Sequence, residues 1–481
     1  MVREVRVGVR PLDRFREVLP AEDVAEALRV ATHLRDRLSR RVLWNVNSTA
    51  VGGGVAEMLP SLLGYTRSVG IDSRWMVIEG NEAFFRVTKR LHHAIHGSAG
   101  DGSPLGPAER KIYETVLRDN ATELAPIVRP DDVVILHDPQ TAGLAPRLIA
   151  AGARVIWRCH IGLDVPNPEA ERGWEFLQPY LEPIPFFVFS RSSYVPDSCD
   201  HGKARIITPS IDAFSAKNQE LSEDAVRTIL VHTGLVEGPP PPDPDHGFLR
   251  LDGSPGRVGR CADVVRLGRA PSWETPLVVQ VSRWDPLKDM RGVLEGFAML
   301  FEGKCAVEPE LVLAGPNVSG VADDPEGGRV FEDVVEAWRA LPHALRGRVH
   351  LASLPVADVE ENAAIVNALQ RHATVIVQKS LREGFGLTVT EAMWKAKPVI
   401  ASAVGGIQDQ IEDGRSGLLL EDPRDLAGFA DALCSVLCEP ERGVAIGKAA
   451  RERVRERFLG VRHLLQYASL IEEIDAAHDR A

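Results

Sequence analysis

The sequence predicts an α/β chain folded as two doubly wound parallel-sheet lobes, and three observations carry that expectation. From Arg41 to about Ile211 short apolar runs alternate with amphipathic stretches, a second series of the same kind begins at Leu277, and a proline-rich segment separates them. Strand-length apolar runs alternating with helix-length stretches are the rhythm of a parallel sheet with crossover helices. With 481 residues, 44% of them hydrophobic, the chain can bury two domain cores.

Taken in order, the first 40 residues read as a short strand and a helix from Ala21 to Ser39, with Leu28, Val30, Leu34 and Leu38 at its apolar positions. Strands of the first lobe are expected at Val42 to Val46, Ser73 to Ile78, Asp132 to Leu136, Arg154 to Trp157 and Phe186 to Phe189, giving a first domain of residues 1–212. Residues 213–275 read as an insertion whose prolines at 239–242 forbid regular structure there. The turn-forming residues and arginines of Phe248 to Val258 argue that it is ordered and lies near the site rather than being a loose linker. The second lobe, within residues 213–456, is expected to take its strands from Leu277 to Val281, Leu311 to Ala314, Val349 to Leu351, Thr374 to Gln378 and Pro398 to Ala401. A last helix, in residues 457–481, follows from apolar residues at helical spacing between Leu459 and Ala476.

The net charge of −12, from 56 basic and 68 acidic residues, argues against nucleic acid and anionic membranes as partners. No run of eighteen apolar residues occurs, and the start lacks the apolar core of a signal peptide, so a cytoplasmic location is expected. The cysteines at 159, 199, 261, 305, 434 and 438 are scattered, form no C-x-x-C pair and read as free thiols. The glycan acceptor triplets at Asn47, Asn120 and Asn317 have meaning only on a secreted chain.

The stretch Arg382 to Ala392 (REGFGLTVTEA) sets Glu383 and Glu391 around a Gly-Phe-Gly turn before a short apolar run. If a helix starts near Leu387, the amides of Gly384, Phe385 and Gly386 lie at its positive end, where a diphosphate can accept their hydrogen bonds. The two acids then face different parts of one long ligand, such as the sugar and the ribose of a sugar nucleotide. Upstream, the expected strand Leu277 to Val281 runs into Arg283 and Lys288, two cations suited to the diphosphate at the carboxyl end of a strand. The competing reading makes both surface charges, with Lys288 paired to Asp285 or Asp289. Gly52, Gly53 and Gly54 follow the strand near Val46 and open an apolar run, which allows a phosphate-approaching loop or an ordinary turn. His137 and Asp138, and likewise His160, stand at expected strand ends.

Arg283 and Lys288 with Glu383 and Glu391 resemble the donor-site signature of retaining GT-B glycosyltransferases of family 4. Trp44 to Glu57 (WNVNSTAVGGGVAE), Leu136 to Gln140 (LHDPQ) and Trp157 to Gly162 (WRCHIG) are similar to the trehalose glycosyltransferring synthases of that family. Fungal-type trehalose phosphorylases resemble the same phrases. The resemblance implies two Rossmann-like lobes facing across a cleft, and a C-terminal helix that crosses back to the first lobe. It puts His160 beside the donor sugar and the acceptor on the first lobe, where Asp138 and Gln140 are candidates for binding its hydroxyls.

The expected reaction moves a glucosyl group from ADP-, UDP- or GDP-glucose to free glucose, giving trehalose, with the reverse reaction also open. No nucleophile is evident, so front-face attack with retention is expected, with Arg283, Lys288, Glu383 and His160 as the catalytic set. Gly53, Gly54, Gly384, Phe385, Gly386 and Glu391 form the donor-binding set. No metal is expected: the pair His92 and His96 lacks further ligands, and the pattern Asp243-Pro244-Asp245 sits among prolines rather than after a strand. Alternatives are a retaining trehalose phosphorylase, another family-4 transferase and a non-catalytic sugar-nucleotide sensor. The insertion and the first helix are candidate contact surfaces for a homo-oligomer.

Overall fold

Strands buried on both faces read as continuous apolar runs rather than as alternating ones, and the first sheet shows why. The computed structural model describes residues 2–50, 53–242, 244–303, 305–318 and 325–478. Gly52 and Asp243, both singled out by motif, lie outside them. Two units divide the chain, one of residues 1–210 with 458–481 and one of residues 211–457.

The first unit holds a seven-stranded sheet of β1 (Arg3–Val5), β2 (Leu43–Asn47), β3 (Ser73–Val77), β4 (Val133–His137), β5 (Arg154–Cys159), β6 (Phe186–Phe189) and β7 (Ala204–Ile206). Their order is β1-β3-β2-β4-β5-β6-β7, parallel throughout except β1, which runs antiparallel to β3. Successive residues point to opposite faces. Trp44, Val46, Val134, Leu136, Val155 and Trp157 enter one core with Phe176 and Leu177. Leu43, Val133, Ile135, Ile156 and Val188 enter another, covered by Leu34, Leu38, Ala468, Leu470 and Ile471. Those covering residues come from the helix Ala21–Arg37, its neighbouring turn and the C-terminal helix Gly460–His478. The helix Gly460–His478 is fixed by Asp475, whose carboxylate meets Arg37 at 3.1 Å, Arg41 at 2.9 Å and Arg154 at 2.6 Å.

A second seven-stranded sheet forms from β10 (Asp263–Val265), β11 (Leu277–Val281), β12 (Glu310–Pro316), β13 (Val349–Leu354), β14 (Val375–Gln378), β15 (Val399–Ser402) and β16 (Leu418–Leu420). The order is β10-β13-β12-β11-β14-β15-β16; as in the first sheet, the strand that comes first in the chain, here β10, is the antiparallel edge. One face packs on the helices Met290–Met299 and Leu426–Cys438 through Val293, Leu294, Phe297, Phe429 and Leu433.

The described residues of 213–275 do not form one insertion. The helix Glu223–His232, capped by Ser222, precedes the prolines; a hairpin of β8 (Gly247–Leu249) and β9 (Pro255–Arg257) follows them; and β10 already belongs to the second sheet. The prolines break only their own stretch. The hairpin is tied down by Arg250, which meets Asp358 at 2.6 Å, and by Gln219, which exchanges two hydrogen bonds with the backbone of Leu249. All six cysteines are free thiols, as expected, and Cys305, Cys434 and Cys438, scattered in sequence, come together in space. Among the described residues no helix is long and apolar enough to cross a membrane.

Candidate functional site

In the second unit the chain leaves β11 at Val281 and turns at Arg283 and Trp284. Trp284 is buried, and its indole N–H donates to Pro316 O at 2.9 Å, which anchors the turn. Arg283 projects instead, with 70% of its side chain exposed and Nη2 3.3 Å from Asp285. Asp285 accepts from the Leu287 amide. Asp289, in the left-handed region at φ 50°, caps the helix Met290–Met299 and receives the ammonium of buried Lys379. Lys288 therefore pairs with neither of those acids. Its Nζ lies 2.6 Å from Oε1 of Glu383, at the end of β14, bridging two strand ends.

The loop between β14 and the next helix is held from both sides. Glu383 accepts from Ser380 at 3.0 Å and from Gln378 at 3.3 Å, while the Gly406 amide donates to Gly384 O at 3.0 Å. A Cβ at Gly406 would lie 2.8 Å from Cα of Phe385, so only glycine permits this approach. Gly386 adopts φ 83° and starts the helix Leu387–Trp394, a conformation glycine takes without steric cost. The amides of Gly384, Phe385 and Gly386 thus precede a helix start. Glu391 lies buried within that helix, 3.5 Å from Nζ of Lys217. Lys395, which donates to Glu391 O at 3.0 Å, is pushed down to about 7 by burial.

In the first unit the ends of β2, β4 and β5 bring Asn45, His137 and His160 into one chain of hydrogen bonds. His137 Nε2 stands 2.9 Å from Asn45 Oδ1, and His137 Nδ1 stands 3.1 Å from His160 Nε2. Arg158 Nε lies 3.0 Å from Nε2 of His160 and 3.4 Å from its Nδ1. Guanidinium only donates, so the His160 ring accepts from Arg158. Burial, followed by the charge of Arg158, pushes His137 down to about 3 and His160 well below its ordinary value. Asp138, at φ 63°, accepts from the His160 amide at 2.7 Å and is pushed up to about 7 by burial. Gln140 keeps a buried Oε1 with no partner among the described residues. Gly53, at φ 81°, caps the helix Gly54–Ser68.

Each unit thus gathers its own share of the expected residues. Arg283, Lys288, Glu383, the Gly384–Gly386 turn and Glu391 share one sheet end with a helix start, and Asp138, Gln140 and His160 share another with Gly53 and Gly54. Sequence reasoning missed Lys379, Arg158 and the polar residues around them. Lys379 directly follows an apolar run, and that position was the available signal. Arg158 lies within an apolar strand, yet its charge is met by Tyr467 and His463 of the C-terminal helix, which no local pattern discloses.

A family model described as trehalose synthase, N-terminal domain, matches residues 45–196, and one described as glycosyl transferases group 1 matches residues 358–453. The trehalose synthase of Pyrococcus horikoshii is 36% identical, over 98% of this chain and 99% of that one. A trehalose phosphorylase of Grifola frondosa is more distant, at 24% identity over 92% of this chain and 58% of its own. Among solved structures, the UDP-forming α,α-trehalose-phosphate synthase of Burkholderia xenovorans, in complex with glucose-6-phosphate, superposes with a TM-score of 0.65. It is 18% identical and covers 90% of this chain and 100% of that one, a likeness of fold that fits the GT-B class. Near-full-length identity above one third, together with both family models, shows that the chain belongs to the trehalose synthase family of glycosyltransferases.

Proposed function

We propose that the protein transfers a glucosyl group from a nucleoside diphosphate glucose to free glucose with retention, making α,α-trehalose. The observation that carries this reading is the Lys288–Glu383 pair at 2.6 Å, set beside the glycine turn that opens the helix Leu387–Trp394. A cation and preorganised amides at one strand end suit a diphosphate leaving group, whose negative charge grows in the transition state. Arg283, exposed and paired with Asp285, can swing onto the same phosphates.

In this reading Glu383, held by Lys288, orients donor-sugar hydroxyls, and Glu391 binds the ribose. His160 contacts the donor sugar and lends polar stabilisation near the reacting carbon, and Asp138 and Gln140 bind acceptor hydroxyls. The departing phosphate takes the acceptor proton during front-face attack. Gly53 and Gly54, at a helix start, approach the donor phosphates. Two cations supply the charge that a metal would otherwise bring, so the reaction is metal-independent, and the donor is the one cosubstrate required.

The test incubates purified protein with ADP-, UDP- or GDP-glucose and glucose, with and without chelator, and follows trehalose and released nucleotide by chromatography. Trehalose formed despite chelator supports the reading. Glucose 1-phosphate released from trehalose and phosphate, with no turnover of any nucleotide sugar, replaces it with the phosphorylase reaction. Silence in both assays leaves a binding protein.

A further inference from the structure

Three of the six cysteines converge, although Cys305 and Cys438 stand 133 positions apart in sequence. Cys434 and Cys438 fall four residues apart on the helix Leu426–Cys438, so both sulfurs lie on one helix face. The chain leaving the helix Met290–Met299 brings Cys305 against that face. Sγ of Cys438 lies 3.7 Å from Sγ of Cys305 and 3.7 Å from Sγ of Cys434, and all three sulfurs are within 4.8 Å of one another.

We propose that Cys305, Cys434 and Cys438 form a binding site for a thiophilic divalent cation such as Zn²⁺, separate from the sugar-transfer site. Tetrahedral zinc holds sulfur at about 2.3 Å, which sets neighbouring sulfurs about 3.8 Å apart. Two of the three spacings match that edge. A disulfide needs its sulfurs at about 2.0 Å, so the observed distances suit shared ligation better than a covalent bond. Among the described residues the group offers three donors, leaving the fourth position to solvent.

Cys438 is exposed and the other two are partly so, which gives the ion a path in. Ligation would staple the segment after the helix Met290–Met299 to the helix Leu426–Cys438. Lys288 lies at the opposite end of the former helix, a span of about 15 Å for ten residues. The ion would therefore act on the stability of the second unit and not on the reaction.

The experiment titrates reduced, metal-stripped full-length protein with Co²⁺ alone and records the near-ultraviolet thiolate-to-cobalt absorption. The expected result is a band that saturates at a single equivalent, is displaced by Zn²⁺, is retained in Cys261→Ser and is lost in Cys305→Ser and Cys438→Ser. Zn²⁺ should also raise the melting midpoint of the parent protein by several degrees and leave that of Cys434→Ser unchanged, because ligand binding to the folded state alone stabilises it. Transferase turnover should be equal in all these proteins. Absence of the band, or a band of equal strength in the Cys305→Ser and Cys438→Ser proteins, overturns the proposal.

Discussion

Lys288 and Glu383 stand 95 residues apart in sequence and 2.6 Å apart in space, and the contact gives each a partner that spacing alone did not disclose. The motif residues themselves were legible, because a glycine turn before an apolar run and cations after a strand are local patterns. Their pairing was not, because it depends on β11 and β14 being neighbours in the sheet. Arg283 is exposed and packs on nothing in the core, so Arg283→Ala should leave the melting midpoint unchanged. It should lower turnover by about two to three orders of magnitude, the scale for removing a charge-stabilising donor. Steady-state rates beside a melting curve check this, and near-normal turnover removes Arg283 from the reaction. Glu391→Gln keeps the shape of a buried side chain while weakening its acceptor. Calorimetry with ADP or UDP should show binding reduced roughly tenfold, about 1.4 kcal/mol. Unchanged nucleotide affinity would count against a ribose contact.

At the scale of elements, the helix Gly460–His478 does two jobs in the first unit. Its Asp475 is surrounded by Arg37, Arg41 and Arg154, and those arginines hold its carboxyl below the ordinary range despite burial. Breaking a buried pair costs about 3 to 5 kcal/mol, and the solvent-facing Arg37 contact reduces that figure. Asp475→Asn should therefore destabilise the protein by about 2 to 3 kcal/mol in denaturant titration. A loss under about 0.5 kcal/mol would show that the cluster contributes only as a surface ion pair does. The same helix carries Tyr467, whose hydroxyl accepts from Arg158, the residue that fixes the His160 ring. Tyr467→Phe keeps the ring and releases the guanidinium, so turnover should fall several-fold with little change in melting midpoint. A matched fall in both would mean that Tyr467 only supports packing. The helix was legible from its apolar spacing, whereas its polar contacts were not, because charged residues facing inward look the same in sequence as those facing water.

For the whole molecule, the two sheets were legible because the central strands are buried and largely apolar, and the predicted strands differ from the observed ones by a few residues at their ends. The edges were not legible: β7, β10 and β16 have three residues each, too few to show a period. The buried histidines were also hidden, and they decide how the fold responds to acid. Burial pushes His137 down to about 3, puts His160 and His463 well below 6.5, and brings His372 of the second unit to about 4. Between these values and 6.5 the unfolded chain binds protons that the folded chain refuses, so stability falls as pH falls through that window. Asp138 opposes this. Pushed up to about 7 from 3.8, it is protonated in the folded chain while ionised in the unfolded one, which adds stability as pH drops from 7 towards 4. Four imidazoles outweigh one carboxyl, so the melting midpoint should fall by roughly 5 to 10 °C between pH 7 and pH 5. His463→Gln removes one of the four, and its midpoint should depend less steeply on pH across the same range. A midpoint that holds steady or rises on acidification would mean that the imidazoles gain protons in the folded state, with the hydrogen-bonded chain from Asn45 to His160 opened to water.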